Sequence, residues 1–274
     1  MFKIGIIGLG VVGNAIYETL SLKDVILKGY DKFKNGGIGT FQDCLNMDIL
    51  FLCLPTPYSN SLKDYQIDSM YETLDKLNMV NYTGSVVIKS TVNIGTCEEF
   101  SNKYNLNIIH NPEFLTARNA KDDFNNQEQI VIGRTSKCSN EAFERLINFY
   151  KKFWKNSIVS ICNSGESELM KLSCNSFYAV KIQFMTELYL IAKKNNMDFN
   201  LVKNMMILNQ GISPNYTQVP GHDGQISYGG MCFPKDTNAL CSYMRKNNLP
   251  NNVLQSVITE RNLMRNENQI GISE

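Results

Sequence analysis

The segment 3-KIGIIGLGVVGNAI-16 constrains this chain more than any other, because an apolar run that reads as a buried strand passes directly into Gly8, Gly10 and Gly13 and then into a helical pattern. Glycines at G-x-G-x-x-G spacing permit a tight turn, close approach of a pyrophosphate and close packing of helix on strand, and the helix N-terminus that follows favours anionic phosphates. Gly8, Gly10, Val11, Val12 and Gly13 are therefore candidates for holding a dinucleotide. A plain strand-turn-helix would use the same glycines, so the context decides. A second apolar strand, 25-VILKGY-30, ends at Asp31, about the distance at which an acidic residue meets an adenosine ribose. Its carboxylate would repel a 2′-phosphate, which favours NAD over NADP, and Lys32 and Lys34 soften that preference without reversing it.

Apolar strands recur at 49-ILFLCL-54, 85-SVVIKS-90, 107-NIIH-110, 129-QIVIG-133 and 158-IVSIC-162. Between the first two, 63-KDYQIDSMYETLDKLN-78 reads as an amphipathic helix. The alternation predicts an α/β fold over residues 1–163, a Rossmann-like doubly wound parallel sheet. Ligands of such sheets sit at the carboxyl ends of the strands, which here read Pro55-Thr56-Pro57, Ser90-Thr91 and 111-NPEF-114. Beyond 163-NSGESE-168 the strand pattern stops, and a second, all-helical domain is expected over 164–274. In its first long helix Leu169, Phe177, Val180, Phe184, Leu188 and Ile191 share one side, and Glu168, Lys171, Asn175 and Tyr178 the other. Residues 198–209 and 251–266 predict further helices.

Composition narrows the function classes. With 43% hydrophobic residues, 19% charged and a formal net charge of +1, the chain reads as an ordinary globular protein with no electrostatic reason to engage nucleic acid or a membrane surface. No apolar run approaches a membrane span, and the start lacks the features of a signal peptide. A cytoplasmic location is expected, the cytosol of a host cell being equally compatible. The cysteines are scattered without a C-x-x-C pair and several lie in apolar runs, which suits reduced, buried thiols. His110 and His222 stand far apart, so no metal is expected.

Two stretches carry candidate chemistry. In 227-SYGGMCFPKDT-237 a thiol follows a glycine pair and precedes a cation. A thiol is nucleophilic as the thiolate, which a neighbouring ammonium or helix N-terminus favours, so Cys232 beside Lys235 is a candidate nucleophile. The plainer alternative is a small hydrophobe next to a turn. Lys171 and Asn175 are four residues apart on one helical face, and a lysine and an amide aimed at one point can stabilise an oxyanion; an ordinary solvated pair has the same spacing.

In chain order, GLGVVG with Asp31, 52-LCLPTP-57, 90-STVNIGT-96, 111-NPEFL-115, 168-ELMKLSCNSF-177 and 229-GGMCFPKDT-237 together make a chain that closely resembles the UDP-glucose/GDP-mannose dehydrogenase family over nearly its whole length. The resemblance implies oxidation of a nucleotide sugar's primary alcohol through aldehyde to acid with two NAD, UDP-glucose to UDP-glucuronate being the first expectation. It implies that Cys232 is the nucleophile, passing through a thiohemiacetal and a thioester. Lys171 and Asn175 would stabilise the oxyanion, and Asp236, Thr91 and Glu113 would manage water and hydrolysis. Pro55, Thr56, Thr91 and Lys235 are the further cofactor contacts expected, Lys235 also neighbouring the thiol. A homodimer through the long helix after Ser164 is implied as well.

Two features depart from the family pattern. Members continue into a third, Rossmann-like domain that helps to hold the nucleotide, whereas this chain ends at Glu274. The loop 209-NQGISPNYTQVPGHDGQISYGG-230 carries no arginine where members commonly have one for the sugar, and 221-GHDGQI-226 looks longer than usual. A compact enzyme, a separate chain supplying the third domain, and a protein that keeps NAD binding without turnover are the three explanations. A β-hydroxyacid dehydrogenase, which transfers one hydride and needs no cysteine, and a non-catalytic NAD-binding subunit are the alternative functions.

Overall fold

The computed structural model describes residues 1–265 and the backbone of 272 and 273. In chain order its first half contains β1 (Phe2–Ile7), α1 (Val11–Leu20), β2 (Val25–Tyr30), α2 (Phe41–Cys44), β3 (Ile49–Leu52), β4 (Tyr58–Ser59), β5 (Asp64–Tyr65), α3 (Asp68–Met79), β6 (Ser85–Ile88), α4 (Thr96–Lys103) and β7 (Asn107–His110). There follow α5 (Ala120–Asn125), β8 (Gln129–Arg134), α6 (Asn140–Phe153), β9 (Ile158–Asn163), α7 (Ser164–Lys194), α8 (Phe199–Ile207), α9 (Phe233–Lys246), α10 (Asn252–Met264) and β10 (Ile272–Ser273). The chain divides into two compact units, 1–56 with 67–171, and 57–66 with 172–274, so the division falls within α7.

The first unit is built on a seven-stranded sheet of order β2-β1-β3-β6-β7-β8-β9. Successive side chains of a strand point to opposite faces, and both faces here are covered by helices. Ile4, Ile6, Ile49, Phe51, Val87 and Ile109 join one buried cluster with α1 and α6. Their neighbours Ile7, Leu50, Leu52, Val86, Ile88 and Ile108 join the other, with α3 and α4. Each such fully buried side chain contributes about 1.5–3 kcal/mol, which is why these strands read as unbroken apolar runs. Helix α6 shows the complete local logic of a helix. Ser139 caps it by accepting from the Ala142 N–H, Glu141 lies in its first turn, Lys151 and Lys152 lie in its last, and Phe143, Leu146, Ile147 and Tyr150 form its buried face.

Two expectations are corrected here. The sheet is not wholly parallel, because β7 and β8 pair antiparallel through Ile109 with Arg134 and His110 with Gly133. Between them lies only the six-residue α5, which packs on α1, so β8 starts at the end where β7 stops. The helix expected from residue 63 begins at Asp68: Lys63 takes a left-handed φ of 52°, and residues 58–59 and 64–65 form an antiparallel hairpin that belongs to the second unit. The division of α7 into two sides left open which is buried: Leu169, Phe177, Phe184 and Ile191 are exposed, while Glu168, Lys171 and Asn175 are buried.

The second unit gathers Met185, Ala192, Phe199 and Val219 into a core, with Leu188, Tyr189, Met206 and Ile226 against it. It is not all helical, since the hairpin and β10 form a three-stranded sheet of order β10-β4-β5. The hairpin is tied to α9 by Tyr58 Oη to Ser242 Oγ at 2.7 Å and by Lys246 Nζ to Asp64 Oδ2 at 2.7 Å. Of the terminal helix expected over 251–266, α10 accounts for Asn252–Met264, and residue 266 lies outside the described residues.

The turn from β1 to α1 is the tightest packing of the first unit. A Cβ on Gly13 would stand 1.8 Å from the Gly8 carbonyl oxygen, whereas one on Gly10 would meet nothing within 4 Å. Backbone cannot yield as a side chain can, so Gly13→Ala is expected to cost about 1–3 kcal/mol of stability by urea unfolding. Gly10→Ala is expected to stay within about 1 kcal/mol of the parent. Equal costs for the two variants would contradict this reading of the turn.

Candidate active site

In the first unit, Gly8 takes a φ of 90°, and α1 starts at Val11 immediately after Gly10. The orphan N–H groups of a helix start favour an anion there. A cavity of about 550 Å³ opens at this point, lined by Gly10, Val11, Asn14, Asp31, Lys34 and Arg118 among others. Asp31 sits just past β2, where Oδ2 accepts from the Leu9 N–H at 2.7 Å and Oδ1 from the N–H groups of Phe33 and Lys34 at 2.9 and 2.8 Å. Burial works against its ionisation, but those N–H groups and the Lys34 ammonium outweigh it and hold the carboxyl below its ordinary value. Lys34 Nζ in turn donates to the Leu9 carbonyl and to Asn14 Oδ1. Concavity, an open Gly10, a helix start and a fixed carboxylate fit a dinucleotide with a free ribose diol.

The carboxyl ends of β3 and β6 are held together by hydroxyls. Thr56 Oγ1 donates to the Thr91 carbonyl at 2.8 Å and Ser90 Oγ to the Leu54 carbonyl at 2.7 Å, which places Pro55, Thr56 and Thr91 at one edge of the sheet. Past β7, Lys171 Nζ donates to the Glu113 carbonyl at 2.5 Å and lies 3.2 Å from Glu113 Oε1, while Glu113 Oε2 accepts from the Leu115 N–H. The side chains of this pair are 5% and 12% exposed, so removing one partner would strand a desolvated charge at a cost of about 3–5 kcal/mol.

Sequence reasoning passed over two groups in this unit. Lys89 is 2% exposed and donates to Asn111 Oδ1 at 3.0 Å and to the Pro112 carbonyl at 3.2 Å, bracing the turn that carries Glu113. Burial pulls its ammonium down to about 8. The signal available was a charge inside an otherwise apolar strand run. Glu168 was noticed only as part of a polar face. It is fully buried, and its carboxylate accepts from the N–H groups of Gly95 and Cys97 at the start of α4, at 2.6 and 2.8 Å.

The second unit holds the other candidates. Cys232 immediately precedes α9 and is the one exposed thiol of the eight; by contrast Cys44 and Cys138 are pushed up to about 11 and Cys53 to about 12 by burial, which keeps those thiols protonated. Asp236, fully buried in the first turn of α9, accepts from Asn175 Nδ2 at 2.6 Å, from Tyr65 Oη at 2.5 Å and from Lys235 Nζ at 2.5 Å. Lys235 also lies 4.9 Å from the Tyr65 ring centroid. Burial and then the Asp236 charge push the Tyr65 hydroxyl well above its ordinary value, so it stays a donor. Tyr65 lies in the stretch read as helix and left no sequence signal. Thus Lys171 is found with Glu113, and Asn175 with Asp236, Lys235 and Tyr65, one cluster in each unit.

A Rossmann-type sheet with a dinucleotide cradle, followed by a helical unit carrying an exposed cysteine beside a buried carboxylate, defines the class as an NAD-binding dehydrogenase fold. Residues 22–154 match the NAD binding domain of the UDP-glucose/GDP-mannose dehydrogenase family and residues 165–262 match its central domain. The chain belongs to that family. A UDP-glucose 6-dehydrogenase of Rickettsia bellii is 30% identical over 250 residues, covering 88% of this chain and 54% of that protein. The chain spans about half the length of the curated relatives it matches. Among solved structures, a UDP-glucose dehydrogenase from Pyrobaculum islandicum superposes with a TM-score of 0.82 at 23% identity, over 96% of this chain and 68% of that one. A Mycobacterium tuberculosis 3-hydroxyisobutyrate dehydrogenase shares the fold with a TM-score of 0.72 at 12% identity, over 96% of this chain and 93% of that one.

Burial raises the Glu168 carboxyl to about 7 against the pull of the Cys97 and Gly95 N–H groups. A carboxyl raised in the folded state stabilises the fold fully below its unfolded value, and that contribution is lost as pH rises through the folded value. Relative to Glu168→Gln, the parent is expected to lose on the order of 3 kcal/mol between pH 4.5 and pH 7. Urea midpoints of both proteins across that range measure it, and parallel profiles would show that Glu168 ionises normally.

Proposed function

We propose that this chain is an NAD-dependent dehydrogenase that oxidises the primary alcohol of a nucleotide sugar to the acid, with UDP-glucose the first candidate substrate. The observation that carries this reading is Cys232, an exposed thiol at the start of α9 and four residues before a buried carboxylate held by an amide, a phenol and an ammonium. Residues 1–163 act as the cofactor domain and 164–274 as the central domain. NAD, when bound, supplies the hydride acceptor for each of two oxidations. Gly8, Gly10, Val11, Val12 and Gly13 cradle its phosphates, Asp31 takes a ribose hydroxyl, and Pro55, Thr56, Thr91 and Lys235 complete its contacts.

The residues divide the chemistry into accessible steps. The Cys232 sulfur adds to the carbonyl carbon of the aldehyde, and the oxygen of the resulting thiohemiacetal takes up a proton. Loss of hydride from that carbon and of the proton from its hydroxyl leaves a thioester, and water attacks it to release the acid and restore the thiol. Lys171 and Asn175 donate to the oxygen that carries the developing negative charge. Asp236, Thr91 and Glu113 orient the water and receive its proton. The Tyr65, Asn175 and Lys235 bonds hold the Asp236 carboxylate in one orientation. The balance is one alcohol, two NAD and one water giving one carboxylate, two NADH and three protons.

A second reading, transfer of one hydride to or from a β-hydroxyacid, is favoured by the nearly full-length fold likeness to 3-hydroxyisobutyrate dehydrogenase. NADH formation at 340 nm with a panel of UDP- and GDP-sugars separates the two. Two NADH per sugar acid are expected, with Cys232→Ala yielding no acid. One NADH per turnover of a hydroxyacid, unaffected by Cys232→Ala, would establish the second reading, and cofactor binding without any turnover would leave a non-catalytic NAD-binding subunit.

The proposed enzyme pairs with a second copy through α7, whose exposed Leu169, Phe177, Phe184 and Ile191 form an apolar stripe. Phe177→Glu with Phe184→Glu is expected to halve the mass measured by light scattering. A parent protein that is already monomeric at micromolar concentration would sink the dimer.

A further inference from the structure

Two arginines, Arg261 on α10 and Arg265 just past its end, are 2% and 4% exposed. A guanidinium is costly to bury unless its donors are met, so their partners explain why they are there. Arg261 Nε donates to the Tyr228 carbonyl at 3.2 Å and Nη1 to Asn262 Oδ1 at 3.1 Å. Arg265 Nε donates to the Ile226 carbonyl at 2.8 Å, and Nη2 pairs with Asp223 Oδ2 at 2.6 Å. Both therefore grip the backbone of one short stretch, residues 226–228. From the other side, α7 holds the residue between: the Ser227 N–H donates to Thr186 Oγ1 at 3.0 Å, and the Ser227 hydroxyl bonds Gln183 Oε1. Ser227 keeps a left-handed φ of 62° under these bonds.

The next residue shows how closely the clamp fits. A Cβ on Gly229 would stand 1.6 Å from Arg265 Nη1, so the guanidinium occupies the space that any other side chain would need. Gly230, by contrast, has a φ of 77° and open space around it. Cys232 and the start of α9 follow two residues later.

We propose that Arg261 and Arg265 are positioning residues that fix the loop presenting Cys232, and that residue 229 is glycine because the Arg265 guanidinium fills its side-chain space. The proposal rests on Cys232 being the nucleophile described above. The two glycines then have different roles: Gly229 belongs to the clamp, and Gly230 supplies a left-handed turn just before Cys232.

The test is the rate at which iodoacetamide alkylates Cys232 in the full-length chain, read by peptide mass spectrometry across pH 6 to 9. The variants are Arg265→Ala, Arg265→Lys, Gly229→Ala and the Gly229→Ala/Arg265→Ala double variant, each checked for folding by circular dichroism. Gly229→Ala and Arg265→Ala are each expected to change the Cys232 rate by more than about fivefold and to move its pH midpoint. Arg265→Lys is expected to fall between Arg265→Ala and the parent, because one ammonium can replace part of the fork. In the Arg265→Ala background, Gly229→Ala is expected to change the rate by less than about twofold, since the atom it would strike is gone. Rates and midpoints unchanged in folded variants, or a Gly229→Ala effect of equal size in both backgrounds, would overturn the clamp. Should Arg265→Ala fail to fold, Arg265→Lys and Gly229→Ala decide on the same readout. Alkylation needs neither cofactor nor substrate, so a parent inactive on every nucleotide sugar would refute the proposed function and still leave this result readable.

Discussion

The first unit depends on the near-contact of Gly8 and Gly13. With no Cβ on Gly13 and the Gly8 carbonyl filling that position, α1 can begin almost on top of the strand that precedes it. That brings the unpaired N–H groups of the helix start to the open Gly10 and the cavity beside Asp31. The sheet beneath must be rigid for such an approach to persist, and two buried apolar clusters, one on each face, supply the rigidity. Asp31 is held in the same way: three backbone N–H groups fix its carboxylate before any ligand arrives.

Helix α7 mixes polar with apolar residues on its buried side. Its buried side carries Glu168, Lys171 and Asn175, and each is matched within its own unit, to the start of α4, to Glu113 and to Asp236 respectively. Burying such groups is unfavourable unless their partners are already in place, so these contacts trade stability for a defined arrangement. The same helix also buries Leu172, Ala179, Met185 and Ala192, while Leu169, Phe177, Phe184 and Ile191 remain exposed.

Much of this was legible from residues alone. The glycine turn, Asp31 and the strand runs rest on local steric and burial rules, and the structure places them as those rules require. The cysteine loop was legible as a pattern, though not the means of holding it, since Arg261 and Arg265 are remote in sequence from Gly229 and exposed arginines are the rule on helices. Tyr65 was missed because the segment around it has helical periodicity, and only the hairpin pairing of Tyr58 with Tyr65 turns it toward Asp236. Lys89 was hidden inside a strand run, where its charge should have been read as a question.

By itself the sequence determined the α/β class, the glycine turn ahead of α1 and the candidate residue types, because strand burial, glycine sterics and helix periodicity are set by near neighbours along the chain. Tertiary structure alone decided which way β8 runs, which face of α7 is buried and which partners Asp236 and Arg265 take. Those choices depend on hydrogen bonds between residues far apart in the chain, whose energies are paid back only once both partners have been brought out of water together.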